Sequence, residues 1–366
     1  MTHAAALPAS MSFDIAGLVT ERLEHANRLG ESAAGYVAHA LAPLVTTDLD
    51  ATEPAIVVTV VDEVPVPRDG AEYGVRLGPN GTVWIGDHRG RGGLLSVTKG
   101  GGTVLLDRNA DASVLSRLRV PLLEIALSAA GGGTLRAAGV QVDGLRLGIA
   151  GWAGMGKSRI VLELLSRHGG RLLGDDLLAV TREGEIATLS CRVTVRPEHR
   201  NLLPRSLRRR ARMRQSGARV LGRFSKGRGL PRTAAAFANA GARVMRDYSE
   251  QHVGVGQLIG NGRVGSMGRL DAVLILGSER PGVEPSRRLA AYGCSYSAHV
   301  AALEAALLAQ GLDAPLLPDV SFRQQIARRA LSGAHVIHGR ADGPSEAAAA
   351  VAALLAAARD RQVVDP

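Results

Sequence analysis

LRLGIA, GWAGMGKSR and IVLELLSRH run consecutively over residues 145–168, and the hydrophobic rhythm changes at each join. The first run has the unbroken apolar character of a buried strand. In the last, Ile160, Val161, Leu164 and Leu165 share one helical face, while Arg159, Glu163 and Arg167 point away. The order is strand, glycine loop, helix, which predicts an α/β fold. Within the loop, Gly151, four residues, then Gly156, Lys157 and Ser158 complete the pattern G-x-x-x-x-G-K-[ST]. Lysine is rare in this chain: of 44 basic residues only Lys99, Lys157 and Lys226 are lysines. A compact ammonium on a flexible stem does there what a guanidinium cannot.

Glycines let successive backbone N–H groups turn inward on a polyphosphate, and the helix N-terminus adds positive partial charge. Lys157 reaches the β- and γ-phosphates, and Ser158 ligates Mg²⁺. The residues expected to bind ATP are therefore Gly151, Trp152, Ala153, Gly154, Met155, Gly156, Lys157, Ser158 and Arg159. Trp152 reads as a packing residue that also lies beside the bound nucleotide, and Trp84 as packing alone.

Further on, RLLGDDLLAV (171–180) ends a short apolar strand with two carboxylates, eighteen positions after Lys157. That interval suits a strand returning beside the loop after about three helical turns. Adjacent strand side chains face opposite ways, so Asp175 and Asp176 differ in role. One holds Mg²⁺ and the other accepts a proton from an attacking hydroxyl, its pKa raised by its neighbour.

A chain of 366 residues with 46% hydrophobic content is enough for two domains. Residues 12–45 show helical spacing at Ile15, Leu18, Val19 and Leu23. AIVVTVVD (55–62), YGVRLGPNGTVWIGD (73–87) and LLSVTKGGGTVLLD (94–107) read as strands separated by turns. Residues 111–130 read as a helix ended by three glycines. The expected division is a small α+β domain over 1–132 and a second domain over 133–366. The latter opens with the strand LRAAGVQV (135–142) and closes with an alanine-rich helix near the C-terminus.

The net charge of +10 is local: residues 196–246 hold fourteen arginines and Lys226 against one acid, Glu198, so the rest of the chain is net negative. This basic insertion is a solvated arm, a docking patch for an acidic partner, or a nucleic-acid surface. Two cysteines, Cys191 and Cys294, form no disulfide framework and read as small buried hydrophobes. His335 and His338 fall on opposite faces of a strand, which argues against a shared metal. No long apolar run and no secretory leader is visible, so a cytoplasmic protein without membrane contact is expected.

GLRLGIAGWAGMGKSRIVLELLSRHGGRLLGDDLLAV (144–180) resembles the kinase domain of HPr kinase/phosphorylase and its related serine kinases. TLRAAGVQVDG (134–144) and, more faintly, VGVGQLIGNGRVGSMGRLDAVLIL (253–276) extend the resemblance. It implies a P-loop fold shared with phosphoenolpyruvate carboxykinase, ATP and Mg²⁺ on the loop, and phosphoryl transfer to a serine or threonine hydroxyl. Asp175 would be the general base, Lys157 would neutralise phosphate charge, and Asp176 with Ser158 would lie nearer the metal. This sequence has Arg136 where the family commonly has a histidine before the loop, Arg159 where it has a glutamate, and EQHVGVG (250–256) in place of a Glu-Ile-Arg-Gly type signature. Phosphorylase activity is therefore not implied.

The expected function is an ATP-dependent kinase acting on a hydroxyl of a peptide, protein or small metabolite. Arg136, Arg159, Arg263 and Arg269 are candidate cations for the phosphoryl group in flight. The resembled kinases often form homo-oligomers. The competing reading is an ATP-binding regulatory module that associates with nucleic acid or an acidic partner without transferring phosphate. A carboxykinase is more remote, because so few lysines leave little to supply the additional lysine of such metal sites.

Overall fold

The computed structural model describes residues 7–41, 44–46, 53–64, 74–77, 82–86, 91–152, 154–205, 207–208, 251–259, 264–277, 282–294, 318–341 and 343–364. Ala153, Arg263 and most of the basic insertion lie outside the described residues, as does the side chain of Cys294.

The chain is a mixed α/β protein with several mixed sheets. It begins with β1 (Ser10–Ile15) and β2 (Val19–Glu24), paired antiparallel, and then α1 (Glu31–Tyr36), which continues as a wider turn over Val37–Leu41. The helix expected over 12–45 is thus a hairpin followed by a short helix. Ala16 and Gly17 both adopt positive φ (61° and 66°), the turn that suits the twist of antiparallel strands. Period two then governs burial, with Met11, Phe13 and Ile15 all inward. Next come β3 (Ile56–Val61), β4 (Gly74–Leu77), β5 (Val83–Gly86), β6 (Gly92–Thr98) and β7 (Gly101–Asp107). The sheet order is β1-β2-β3-β7-β6-β5-β4.

α2 (Ala112–Ala129) is capped by Asp111, whose Oδ1 accepts from the backbone N–H of Ser113 and Val114 at 2.9 and 3.1 Å. Its apolar residues join the core of the first sheet, and that core also takes in Ala179, Ala187 and Leu189 from the second half of the chain. Trp84 is fully buried, as a packing residue should be.

From residue 133 follow β8 (Gly133–Leu135), β9 (Ala137–Val142), β10 (Leu145–Ala150), α3 (Lys157–Arg167), β11 (Arg171–Gly174), β12 (Leu178–Val180), β13 (Ile186–Thr188) and β14 (Arg192–Val195). After the basic insertion come β15 (Gln251–Gly254), α4 (Val255–Ile259), β16 (Ala272–Leu276), α5 (Pro285–Cys294), α6 (Val320–Leu331), β17 (His335–Gly339) and α7 (Pro344–Val364).

A five-stranded sheet of order β11-β9-β10-β16-β17 carries this half. Its strand β16 is buried on both faces: Ala272, Leu274 and Leu276 meet α3 and α7, while Val273 and Ile275 meet α5 and α6. That two-sided burial explains an apolar run without alternation. β10 lies where the sheet changes direction, antiparallel to β9 and parallel to β16. Ligands collect beyond the carboxyl ends of strands at such positions. No helix of the described residues is long and apolar enough to cross a membrane.

Candidate active site

β10 delivers the chain into the glycine loop at its carboxyl end, and α3 leaves it. Gly154 and Gly156 both hold φ at 88°, a left-handed conformation that side chains resist. A Cβ on Gly156 would also stand 2.5 Å from the carbonyl oxygen of Ala341, so the loop is fitted against the start of α7. No side chain caps α3, and the Gly156 carbonyl oxygen accepts from the backbone N–H of both Arg159 and Ile160 in its first turn.

Lys157 opens α3 and folds back over the loop. Its Nζ donates to the carbonyl oxygens of Gly151 (2.8 Å) and Trp152 (3.2 Å) and lies 4.0 Å from Asp176 Oδ1. Burial lowers its pKa; Asp176 and Asp175 oppose that shift, while Arg136 and Arg196 add to it. Lys157 thus feels positive charge from Arg136 and Arg196 as well as negative charge from the two aspartates.

Asp175 and Asp176 fall in a bend just past β11 rather than on the strand, and β11 pairs with β9, not with β10. The two side chains still separate. Asp175 is buried, whereas Asp176 is 55% exposed. Asp175 Oδ2 accepts from the backbone N–H of Thr194 at 2.6 Å and from the Ser158 hydroxyl at 3.2 Å, while Oδ1 is buried with no partner. Burial pushes its pKa up from 3.8 to about 6; the Thr194 N–H opposes this, Asp176 adds to it, and the Ser158 hydroxyl opposes it.

The remaining loop residues divide between core and surface. Met155 packs on the core beneath the loop. Trp152 is 44% exposed and stands edge-on to the Tyr292 ring, with centroids 4.9 Å apart. The backbone N–H of Arg159 donates to the Gly156 carbonyl oxygen. Arg136, between β8 and β9, donates to the Tyr292 carbonyl oxygen at 3.4 Å and is close enough to act on Lys157. Arg269 is exposed in the segment before β16. His338 Nδ1 lies 3.1 Å from Arg288. Among the described residues no group of three or more His, Cys, Asp or Glu is placed to hold a metal. Ser158, Asp175 and Asp176 form an all-oxygen set, the donor chemistry of Mg²⁺ completed by phosphate and water.

Thr194, Arg196 and Tyr292 belong to this neighbourhood although no motif marks them. The only signal in the sequence is that β14, RVTV, alternates polar and apolar residues directly before the basic insertion.

The chain matches no family model and no curated protein.

Proposed function

We propose that the protein is an ATP-dependent kinase of the HPr kinase-like P-loop type, transferring the γ-phosphate to a hydroxyl. The observation that carries it is the convergence of Lys157, Ser158 and Asp175 at the mouth of β10, with Asp175 Oδ1 buried and unpartnered. A buried carboxylate oxygen without a donor costs about 1–3 kcal/mol or more, and a proton or metal ion at this position would offset that. The start of α3, which no side chain caps, with Lys157 beside it fits a polyphosphate equally well.

The loop N–H groups and Lys157 would hold the phosphates, with Ser158 and Asp176 towards Mg²⁺. When bound, the metal supplies charge neutralisation on the transferring phosphoryl group. Lys157 must leave the Gly151 and Trp152 carbonyl oxygens to reach the phosphates; both are neutral acceptors, so a phosphate oxygen outcompetes them. Asp175 takes the acceptor proton, and a pKa near 6 lets it be ionised at neutral pH while retaining proton affinity. Arg136 and Arg196 add positive charge around the phosphoryl group. The small N-terminal unit and the cytoplasmic setting expected from the sequence accord with this role.

Transfer from γ-labelled ATP to a panel of peptides and small alcohols tests the assignment. Asp175→Asn should bind ATP as the parent does and lose transfer by about 10²–10⁴-fold. Transfer at the parental rate would remove Asp175 as the base.

A further inference from the structure

A small cavity of about 80 Å³ opens beside Asp175 and Asp176, walled by α1, α2 and β14. Its polar lining comprises Tyr36, Ser116, Arg119, Ser190, Arg192 and Thr194 with the carboxylates of Asp175 and Asp176. The two arginines are in different states. Arg119 is neutralised inside the protein: Nε donates to Glu21 Oε2 at 2.5 Å and Nη1 to the Leu189 carbonyl oxygen at 3.1 Å, while Nη2 is buried without a hydrogen-bond partner. Arg192 donates to the Ser116 hydroxyl at 3.0 Å and lies 4.9 Å above the Tyr36 ring, with no carboxylate at ion-pair distance among the described residues. Its charge is stacked and aimed but not neutralised. Arg192 and Thr194 are two apart on β14, so their side chains share one strand face, and the backbone N–H of Thr194 holds the Asp175 carboxylate beside that strand. Ser190 Oγ, like Asp175 Oδ1, is buried here without a partner.

The cavity therefore combines in its lining a cation, a proton acceptor and an unused hydroxyl. It is far smaller than the 300–1,000 Å³ of drug-sized ligand pockets, so it admits only a few heavy atoms. We propose that it is the acceptor subsite and that the acceptor is a small hydroxy acid, its carboxylate on Arg192 and its hydroxyl at Asp175. This rests on the kinase reading above. In the step, the acceptor O–H proton passes to the Asp175 carboxylate, an O–P bond forms at the γ-phosphorus, and the bond to the β,γ-bridging oxygen breaks, giving a phosphate ester and ADP.

Calorimetric titration of the full chain with glycerate as probe and glycerol as control, both alone and with ADP and Mg²⁺, tests the proposal. Saturable heat is expected from glycerate and none from glycerol. Arg192→Gln should weaken glycerate binding at least tenfold, Arg192→Lys should restore part of it, and Ser190→Ala, which removes no existing hydrogen bond, should weaken it several-fold. Equal binding of glycerol and glycerate, or equal affinity in Arg192→Gln, would overturn the proposal. So would phosphorylation of a seryl peptide that glycerate neither matches nor inhibits, since the acceptor would then dock elsewhere. Failure of ATP to bind while glycerate still does would sink the kinase reading and leave the hydroxy-acid cavity standing.

Discussion

Lys157 and Arg119 are both cations withdrawn from water, yet their surroundings are opposite. Arg119 is 2% exposed and meets an equally buried carboxylate, Glu21, at 2.5 Å. Lys157 is 7% exposed and rests on two neutral carbonyl oxygens, with its nearest carboxylate 4.0 Å away and half in solvent. Burial pulls both pKa values down. For Arg119, Glu21 and Tyr36 more than reverse it, whereas for Lys157 the two aspartates do not. A cation neutralised within the fold is structural; one left on replaceable acceptors, with Arg136 and Arg196 adding like charge, is what the proposed kinase reading takes to be held for a ligand.

The largest expected consequence is at the replaceable contact. Lys157→Ala should lower ATP turnover by at least about 10²–10³-fold while leaving thermal unfolding near that of the parent; a collapse of stability instead would make Lys157 structural as well. Arg119→Met should do the reverse, destabilising the fold by about 3–5 kcal/mol because Glu21 is left charged and buried. Adding Glu21→Leu to that variant should recover most of the loss in a urea titration. If the double variant is no more stable than the single one, the pair is not the source of the effect.

Asp175 gives a smaller, pH-dependent contrast. Its folded pKa of about 6 lies above the ordinary 3.8, so the folded state retains a proton that the unfolded chain has already released. Stability therefore falls as pH rises through about 4 to 6 and stays lower above that, by on the order of 2–3 kcal/mol. Asp175→Asn should raise the melting temperature at pH 8, with the gain shrinking towards pH 4; an equal gain at both ends would remove ionisation as the cause. Smallest of all, the parental rate should halve near pH 6 and fall about tenfold per unit below it, since only the carboxylate can take the acceptor proton.

The strand, loop and helix around Lys157 were legible because their signals are local: an apolar run, a glycine pattern and a 3.6-residue period lie within a single stretch. The same period misled over residues 12–45. Ile15, Leu18, Val19 and Leu23 satisfy helical spacing, while the turn that forces a hairpin is an Ala-Gly pair in which Ala16 itself takes positive φ. The Asp175–Asp176 pair and the separation of its two side chains were visible, but not their cause, which is the bend after Gly174 rather than strand alternation, with the Thr194 N–H nineteen positions on holding Asp175 inward. Arg119 and Arg192 carried no signal. Glu21 lies 98 positions from Arg119, and Ser116 lies 76 from Arg192. Only the packing of α2 between the first sheet and β12–β14 brings such residues to one cavity.

On the proposed reading, the Gly151–Ser158 loop grips a triphosphate. Calorimetry of ATP with Mg²⁺ titrated into the folded full chain tests it most directly. One saturable site per chain, abolished by Lys157→Ala, is the predicted result; no heat of binding from protein that unfolds cooperatively would contradict it.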